Sequence, residues 1–375
     1  MQKTVPADVG SLSARHVPEL DGVRAVAIWT VLAVHLFETP PANVLGIAML
    51  PGVVRFTVHH GFLGVDAFFV LSGYLITGIL LRTKQLPVRQ YFARFYTRRA
   101  RRIFPLYFLV LGLITLAAGR AYFPFLTLGA LFSANLADVF HIAVPSPAGP
   151  FWSLAVEEQF YLVWPWLVLW LRRRILILVT IAIVILEPIL RILTNADHLE
   201  LTWYHCDGLA IGALLALLLA SWNGDRRTIW RVIGVLVGTF VVLTLAAIPY
   251  GVLHGGRVAN ALRITQASLL FGALVAAGAG FSGAPALALL RTGAARITGK
   301  LSYCIYVIHR PLIDIYQAFA PKVYPQLSHF NPTEADVSRA VFVLICAYAI
   351  ASLSWRYFES PILRGTVTFP RVRAR

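Results

Sequence analysis

Ten apolar stretches run through this chain, each long enough to cross the hydrocarbon core of a bilayer as a helix. They fall at roughly 20–37, 62–82, 103–119, 151–171, 175–194, 203–221, 229–249, 263–281, 300–319 and 337–355. None shows the strict alternation of a barrel strand, so the expected fold is an all-α polytopic membrane protein. Composition agrees: hydrophobic residues make up 58% of the 375 and charged residues 13%, which excludes a water-soluble protein of this size. The polar opening, MQKTVPADVGSLSARHVPEL, holds no short apolar core, so no cleaved signal peptide is expected. Cys206, Cys304 and Cys346 lie in or beside apolar runs without metal-ligand spacing, and an odd number argues against a disulfide framework; no metal is expected.

Charge orients the helices. With the N-terminus in the cytoplasm, most of the 33 Lys and Arg fall on cytoplasmic segments, including the dense run from Arg82 to Arg102 and the triplet Arg172–Arg174. Arg55, Arg120, Arg191, Arg257, Arg263, Lys322 and Arg339 fall outside, while Arg24 and Arg310 lie within spans. Ten crossings then return the C-terminus to the cytoplasm. Residues 121–141 are hydrophobic enough for an eleventh, but that crossing would put Arg172–Arg174 outside; an interfacial or re-entrant external element is expected there. Topology and anionic lipid account for most of the net charge of +16, without nucleic acid. No long polar linker divides residues 1–375, so one domain is expected, with its core at about 17–364.

Several polar residues interrupt the apolar runs. Arg24 and His35 are eleven steps apart, which on a helix returns to nearly the same face about 16 Å further along. Arg24 either snorkels to headgroups or serves a cavity, and His35 either bonds a neighbouring helix or does chemistry. Asp66 and Glu157 have short stems and phenylalanine neighbours, and the topology places them at an external level similar to that of His35. A shared polar site is therefore expected, with Glu157 rather than Glu158 lining it and a carboxylate orienting the imidazole. Ser302, Tyr306 and His309 share one helical face, read equally as interhelical bonding or ligand contact. His205 is expected to play a structural part. Arg98, Arg99, Arg101 and Arg102 stand in a basic loop just before a hydrophobic helix opened by Ile103, Phe104 and Pro105. Four guanidiniums suit a polyphosphate, although a stop-transfer cluster has the same composition.

The strings LDGVRAVAIWTVLAVHLF, GFLGVDAFFVLSGYLITGIL, RRARRIFPLY, FWSLAVEEQFYLVWP, GKLSYCIYVIHRPL and RYFESP, in that order over residues 17–364, resemble the acyltransferase-3 family of integral membrane acyltransferases. The resemblance implies O-acyl transfer, commonly of acetyl from acetyl-coenzyme A, to a hydroxyl of a glycan, glycolipid or glycosylated metabolite, in the cytoplasmic membrane of a bacterium. Acyl-coenzyme A would be a co-substrate, with no tightly bound cofactor. The family's arginine–ten–histidine motif falls on Arg24 and His35, its second-helix aspartate on Asp66, and the glutamate of its tryptophan–serine–leucine motif on Glu157. Its arginine-rich motif falls on Arg98, Arg99 and Arg102, with Arg101 between them, as the site for the coenzyme phosphates. Ser72, Trp152, Tyr161, Tyr303, Tyr306 and His309 lie within or beside these strings and are expected to contact the acceptor or support the site. His35 would be the general base, with an acyl-histidine intermediate as the other chemical route. Some members carry a fused serine-hydrolase-like domain; the stand-alone form is expected here. The rival class is a transporter or flippase for an anionic lipid or glycan, using the same polar groups as a path.

Overall fold

The computed structural model describes residues 16–37, 43–44, 47–48, 63–194, 198–219, 225–253, 257–323, 325 and 332–365. Apart from one antiparallel pairing of Asn43–Val44 with Ile47–Ala48, their regular structure is helical. The helices are α1 (Pro18–Leu36), α2 (Gly64–Thr83), α3 (Val88–Ala118), α4 (Phe123–Ala130), α5 (Phe151–Trp170), α6 (Arg173–Thr194) and α7 (Thr202–His205). They continue with α8 (Asp207–Leu219), α9 (Arg226–Leu253), α10 (Arg257–Gly280), α11 (Gly293–Val323), α12 (Pro332–Ser354) and α13 (Ser360–Arg364). The described parts of the ten expected ranges lie on these helices but for residues at their edges, and the range 203–221 is divided at Cys206 between α7 and α8.

Among the described residues, six stretches are long and apolar enough to cross a membrane: α2, α3, α6, Arg226–Ile248 of α9, Val258–Gly280 of α10, and Glu334–Arg364. The protein is thus a helical multi-pass membrane protein. The other helices depart from the apolar pattern for a reason: they carry the polar groups. Glu19, Asp21 and Arg24 interrupt α1, Glu157 and Glu158 interrupt α5, and Lys300, His309, Arg310 and Asp314 interrupt α11. Helix α8 has only 13 residues and joins α7 at Cys206.

Two segments differ in form from simple crossings or loops. The basic run before Ile103 is not a loop but the first half of α3, a helix of 31 residues with Pro105 inside it. Its Arg, Gln and Ala residues are good helix formers, so the chain has no local reason to break before the apolar half. Gly119, at φ 84°, ends this helix in backbone space that side chains rarely enter. Residues 121–141 form no single long helix: α4 has eight residues, followed by a short 3-10 turn at Ala134–Leu136. Eight residues rise only about 12 Å, well short of the hydrocarbon core.

Packing brings α1 against α11 and α2, and α2 against α8. The α2–α8 contact is a close approach of two backbones: a Cβ on Gly73 would sit 2.0 Å from the Leu209 carbonyl oxygen, and one on Gly212 would sit 1.9 Å from that of Val70. Small residues permit this approach where no water drives helices together. One apolar core joins α1, α2, α3, α5, α8, α11 and α12, with single residues of α4 and α6, and a second joins α1, α2, α8, α9 and α10. Helices α1, α2 and α8 belong to both.

Candidate active site

A cavity of about 100 Å³ lies between α1, α2, α3, α5 and α11. Three guanidiniums line it: Arg24 from α1, and Arg99 and Arg102, one turn apart on α3. Arg98 is exposed and Arg101 half-buried, and neither lines the cavity, so the helical form of α3 divides the basic cluster into two faces. Arg24 Nη1 donates to Asp21 Oδ1 at 2.6 Å, and the other Asp21 oxygen is 2.7 Å from His16 Nε2.

Glu157 supplies the cavity's carboxylate. The hydroxyls of Ser72 and Tyr161 both donate to its Oε1, and the guanidinium of Arg99 lies 4.9 Å from the centre of the Tyr161 ring. Glu157 is therefore held by two hydroxyls on one oxygen, whereas Glu158 does not line the cavity and its buried Oε1 has no hydrogen-bond partner among the described residues. Of the two carboxylates, Glu157 is the one that lines the cavity. Tyr303, also on the wall, donates to the Ile103 carbonyl at 2.7 Å and ties α11 to α3. Ser302 lines the cavity while donating to the Gly299 carbonyl at 2.9 Å.

Tyr306 leads from the cavity toward the imidazoles. Its hydroxyl is 2.5 Å from Ser153 Oγ and 3.2 Å from the Pro150 carbonyl, and its ring meets Phe68 edge-on. The His309 ring lies 5.7 Å from that of Tyr306, and the His35 ring lies 5.0 Å from that of His309. His35 Nδ1 faces the Val31 carbonyl at 2.9 Å, so it carries the proton and leaves the Nε2 lone pair for chemistry. His35 is half-buried and does not itself line the cavity; it lies beyond Tyr306 and His309.

Asp66 is not brought to this group. It is 1% exposed, and its Oδ1 is 3.0 Å from His205 Nε2. His205 Nδ1 donates to the Leu199 carbonyl at 2.8 Å, and Phe69 and Trp152 flank the ring. Both nitrogens of His205 are engaged, which fits the structural part expected of it. Asp66 and Ser72 are six residues apart on α2, roughly 9 Å along the axis and on different faces. Equal depth on neighbouring helices does not fix which way a side chain turns.

A second group was missed. Arg191, on the external side in the charge reading, is 1% exposed and donates to the Ala261 carbonyl at 2.7 Å and to Asp207, whose carboxylate also accepts from Thr265. Glu187, one turn away, accepts from the amides of Cys206 and Asp207 and from Cys206 Sγ at 2.7 Å. The signal was present: Glu187 and Arg191 stand at i,i+4 in the otherwise apolar α6. All three cysteines are free, and the described residues hold no metal-ligand cluster.

The profile of a family described as an acyltransferase domain matches residues 17–356. The peptidoglycan O-acetyltransferase OatA of Listeria monocytogenes is 26% identical over 392 residues, covering 94% of this chain and 57% of that protein. The O-acetyltransferase OatA of Staphylococcus aureus is 26% identical over 389 residues, covering 93% of this chain and 58% of its own length. The putative peptidoglycan O-acetyltransferase YrhL of Bacillus subtilis is 35% identical over 172 residues, 40% of this chain and 23% of that protein. The chain thus spans little more than half the length of the two OatA relatives. No solved structure matches it significantly.

Proposed function

The chain belongs to the acyltransferase-3 family, and from that premise we propose that it moves an acetyl group from acetyl-coenzyme A to a hydroxyl of a cell-wall glycan. The observation that carries this reading is one cavity joining three guanidiniums to a wall of hydroxyls, with two imidazoles packed in series behind Tyr306 on that wall. The relatives are named for O-acetyl transfer, two of the three for peptidoglycan, which makes a glycan hydroxyl the acceptor class to test first.

In this reading Arg99 and Arg102 hold phosphate oxygens of the coenzyme, and Arg24 exchanges Asp21 for the same anion. The acyl-pantetheine arm lies along the cavity, with its thioester beside Tyr306. His35 Nε2 takes the proton of the acceptor hydroxyl as the oxygen attacks the thioester carbon. A donated hydrogen bond from Tyr306 offsets the charge of the tetrahedral intermediate. The carbon–sulfur bond breaks, and the proton passes from His35 to the departing thiolate. Glu157, held by Ser72 and Tyr161, keeps the α2–α5 wall in register beside Arg99.

The test is incubation of purified protein with labelled acetyl-coenzyme A and peptidoglycan fragments or other glycans, followed by mass spectrometry of the products. Acetyl ester on the glycan with release of free thiol is expected. Folded protein that yields neither with any acceptor overturns the reading. Glycan movement across vesicles without thiol release would assign the chain to transport instead.

A further inference from the structure

Two of the cavity's hydroxyls meet each other. Ser153 on α5 and Tyr306 on α11 are both buried, both line the cavity, and their oxygens are 2.5 Å apart. Each also reaches the Pro150 carbonyl, Ser153 Oγ at 3.0 Å and the Tyr306 hydroxyl at 3.2 Å. Ser153 stands one turn before Glu157, which puts both on the α5 face that lines the cavity.

These three contacts have only two protons to fill them, since each hydroxyl carries one. If both hydroxyls donated to Pro150, two bare oxygens would face each other at the short end of the hydrogen-bond range with nothing between them. A proton therefore lies between Ser153 and Tyr306, and two arrangements remain. In one, Tyr306 donates to Ser153 and Ser153 donates to Pro150. In the other, Ser153 donates to Tyr306 and Tyr306 donates to Pro150.

The second arrangement frees a donor. The Tyr306 oxygen accepts from Ser153, so rotation about its C–O bond can carry the phenol proton from Pro150 to a group in the cavity while the oxygen stays held. Pro150 is the N-cap of α5, and an N-cap carbonyl accepts the first bond of its own helix, so it is not orphaned when Tyr306 turns away. Phe68 packs edge-on against the Tyr306 ring, which leaves the O–H torsion as the part that moves. A hydroxyl that accepts one hydrogen bond also donates the next more strongly.

We infer that Ser153 is a positioning residue for Tyr306, aiming the phenol proton at the tetrahedral oxyanion; this role rests on the acyl-transfer reading. As the acceptor oxygen bonds to the acyl carbon, the carbonyl electron pair moves onto oxygen. Tyr306 donates to that oxygen without its own O–H bond breaking, and Ser153 donates to Tyr306. When the carbon–sulfur bond breaks, the carbonyl reforms and Tyr306 turns back to Pro150. Neither hydroxyl gains or loses a proton over the cycle, and Ser153 touches neither substrate.

Transfer assays on full-length Ser153→Ala, Tyr306→Phe and the double variant form a cycle that isolates the coupling. Tyr306→Phe is expected to lower kcat by about 10²- to 10³-fold, the usual worth of an oxyanion donor. Ser153→Ala is expected to lower kcat about two- to tenfold, the worth of one neutral hydrogen bond, with both KM values within about twofold. In the Tyr306→Phe background the same change is expected to cost nothing further. Ser153→Thr, which keeps the hydroxyl, is expected to recover kcat. Should Ser153→Ala fail to fold, Ser153→Cys gives the same cycle with only a weak donor at that position. A wild-type kcat in Ser153→Ala, or an equal loss with and without the Tyr306 hydroxyl, overturns the role; a merely structural serine gives the second result. Transfer without coupling removes this role alone, whereas folded wild type that releases no thiol removes the proposed function and this role with it.

Discussion

At His35, removal of the imidazole is expected to lower transfer by about 10²- to 10⁴-fold while the protein still inserts and melts as a folded species. His35→Ala retaining more than about a tenth of wild-type kcat would refute the base assignment. Asp66 calls for a different expectation. Its partner is His205, and breaking a buried pair typically costs about 3–5 kcal/mol, so Asp66→Asn is expected to act first on thermal stability in detergent. A large loss of kcat with an unchanged melting temperature would return Asp66 to the chemistry. The alignment of Arg24 with His35 was legible because helical period alone fixes it. The partner of Asp66 was not, because His205 lies 139 residues away on another helix, and no local rule says which neighbour a buried carboxylate meets.

On the scale of elements, α3 and the α2–α8 contact make separate predictions. Because α3 is helical through its basic run, Arg99 and Arg102 face the cavity while Arg98 is exposed. Arg99→Gln or Arg102→Gln is expected to raise KM for acetyl-coenzyme A by about ten- to a hundred-fold and leave the acceptor's KM unchanged. Arg98→Gln is expected to leave both unchanged; equal effects from all three would mean that net charge, not a face, binds the donor. In α2 and α8, Gly73→Leu and Gly212→Leu are expected to reduce folded yield in detergent, since even a Cβ there meets backbone oxygen. Gly238→Ala, on α9 with open space around it, is the matched control. The apolar helices were legible from hydropathy, whereas the start of α3 was not: a run of arginines reads as loop when charge alone is weighed, although its propensity is helical.

For the whole molecule, the charge pattern predicts sidedness. Single cysteines at Gln90 and His198, in an otherwise cysteine-free background, are expected to label from the cytoplasm and from outside, respectively. The reverse result would exchange the donor and acceptor sides. A group-transfer enzyme with substrates on two sides of a membrane also has to act as an electrical insulator. Under the proposed function, Tyr306 would be the stopper: its hydroxyl is held by Ser153 and Pro150 and its ring is braced by Phe68, on the cavity wall next to the imidazoles. A hydrated ion that reached the guanidiniums would have to shed its water against an aromatic wall. In that proposed reading an acyl group on a slim thioester arm needs only its carbonyl to arrive there, so chemistry would pass from one compartment to the other while the membrane voltage stays intact.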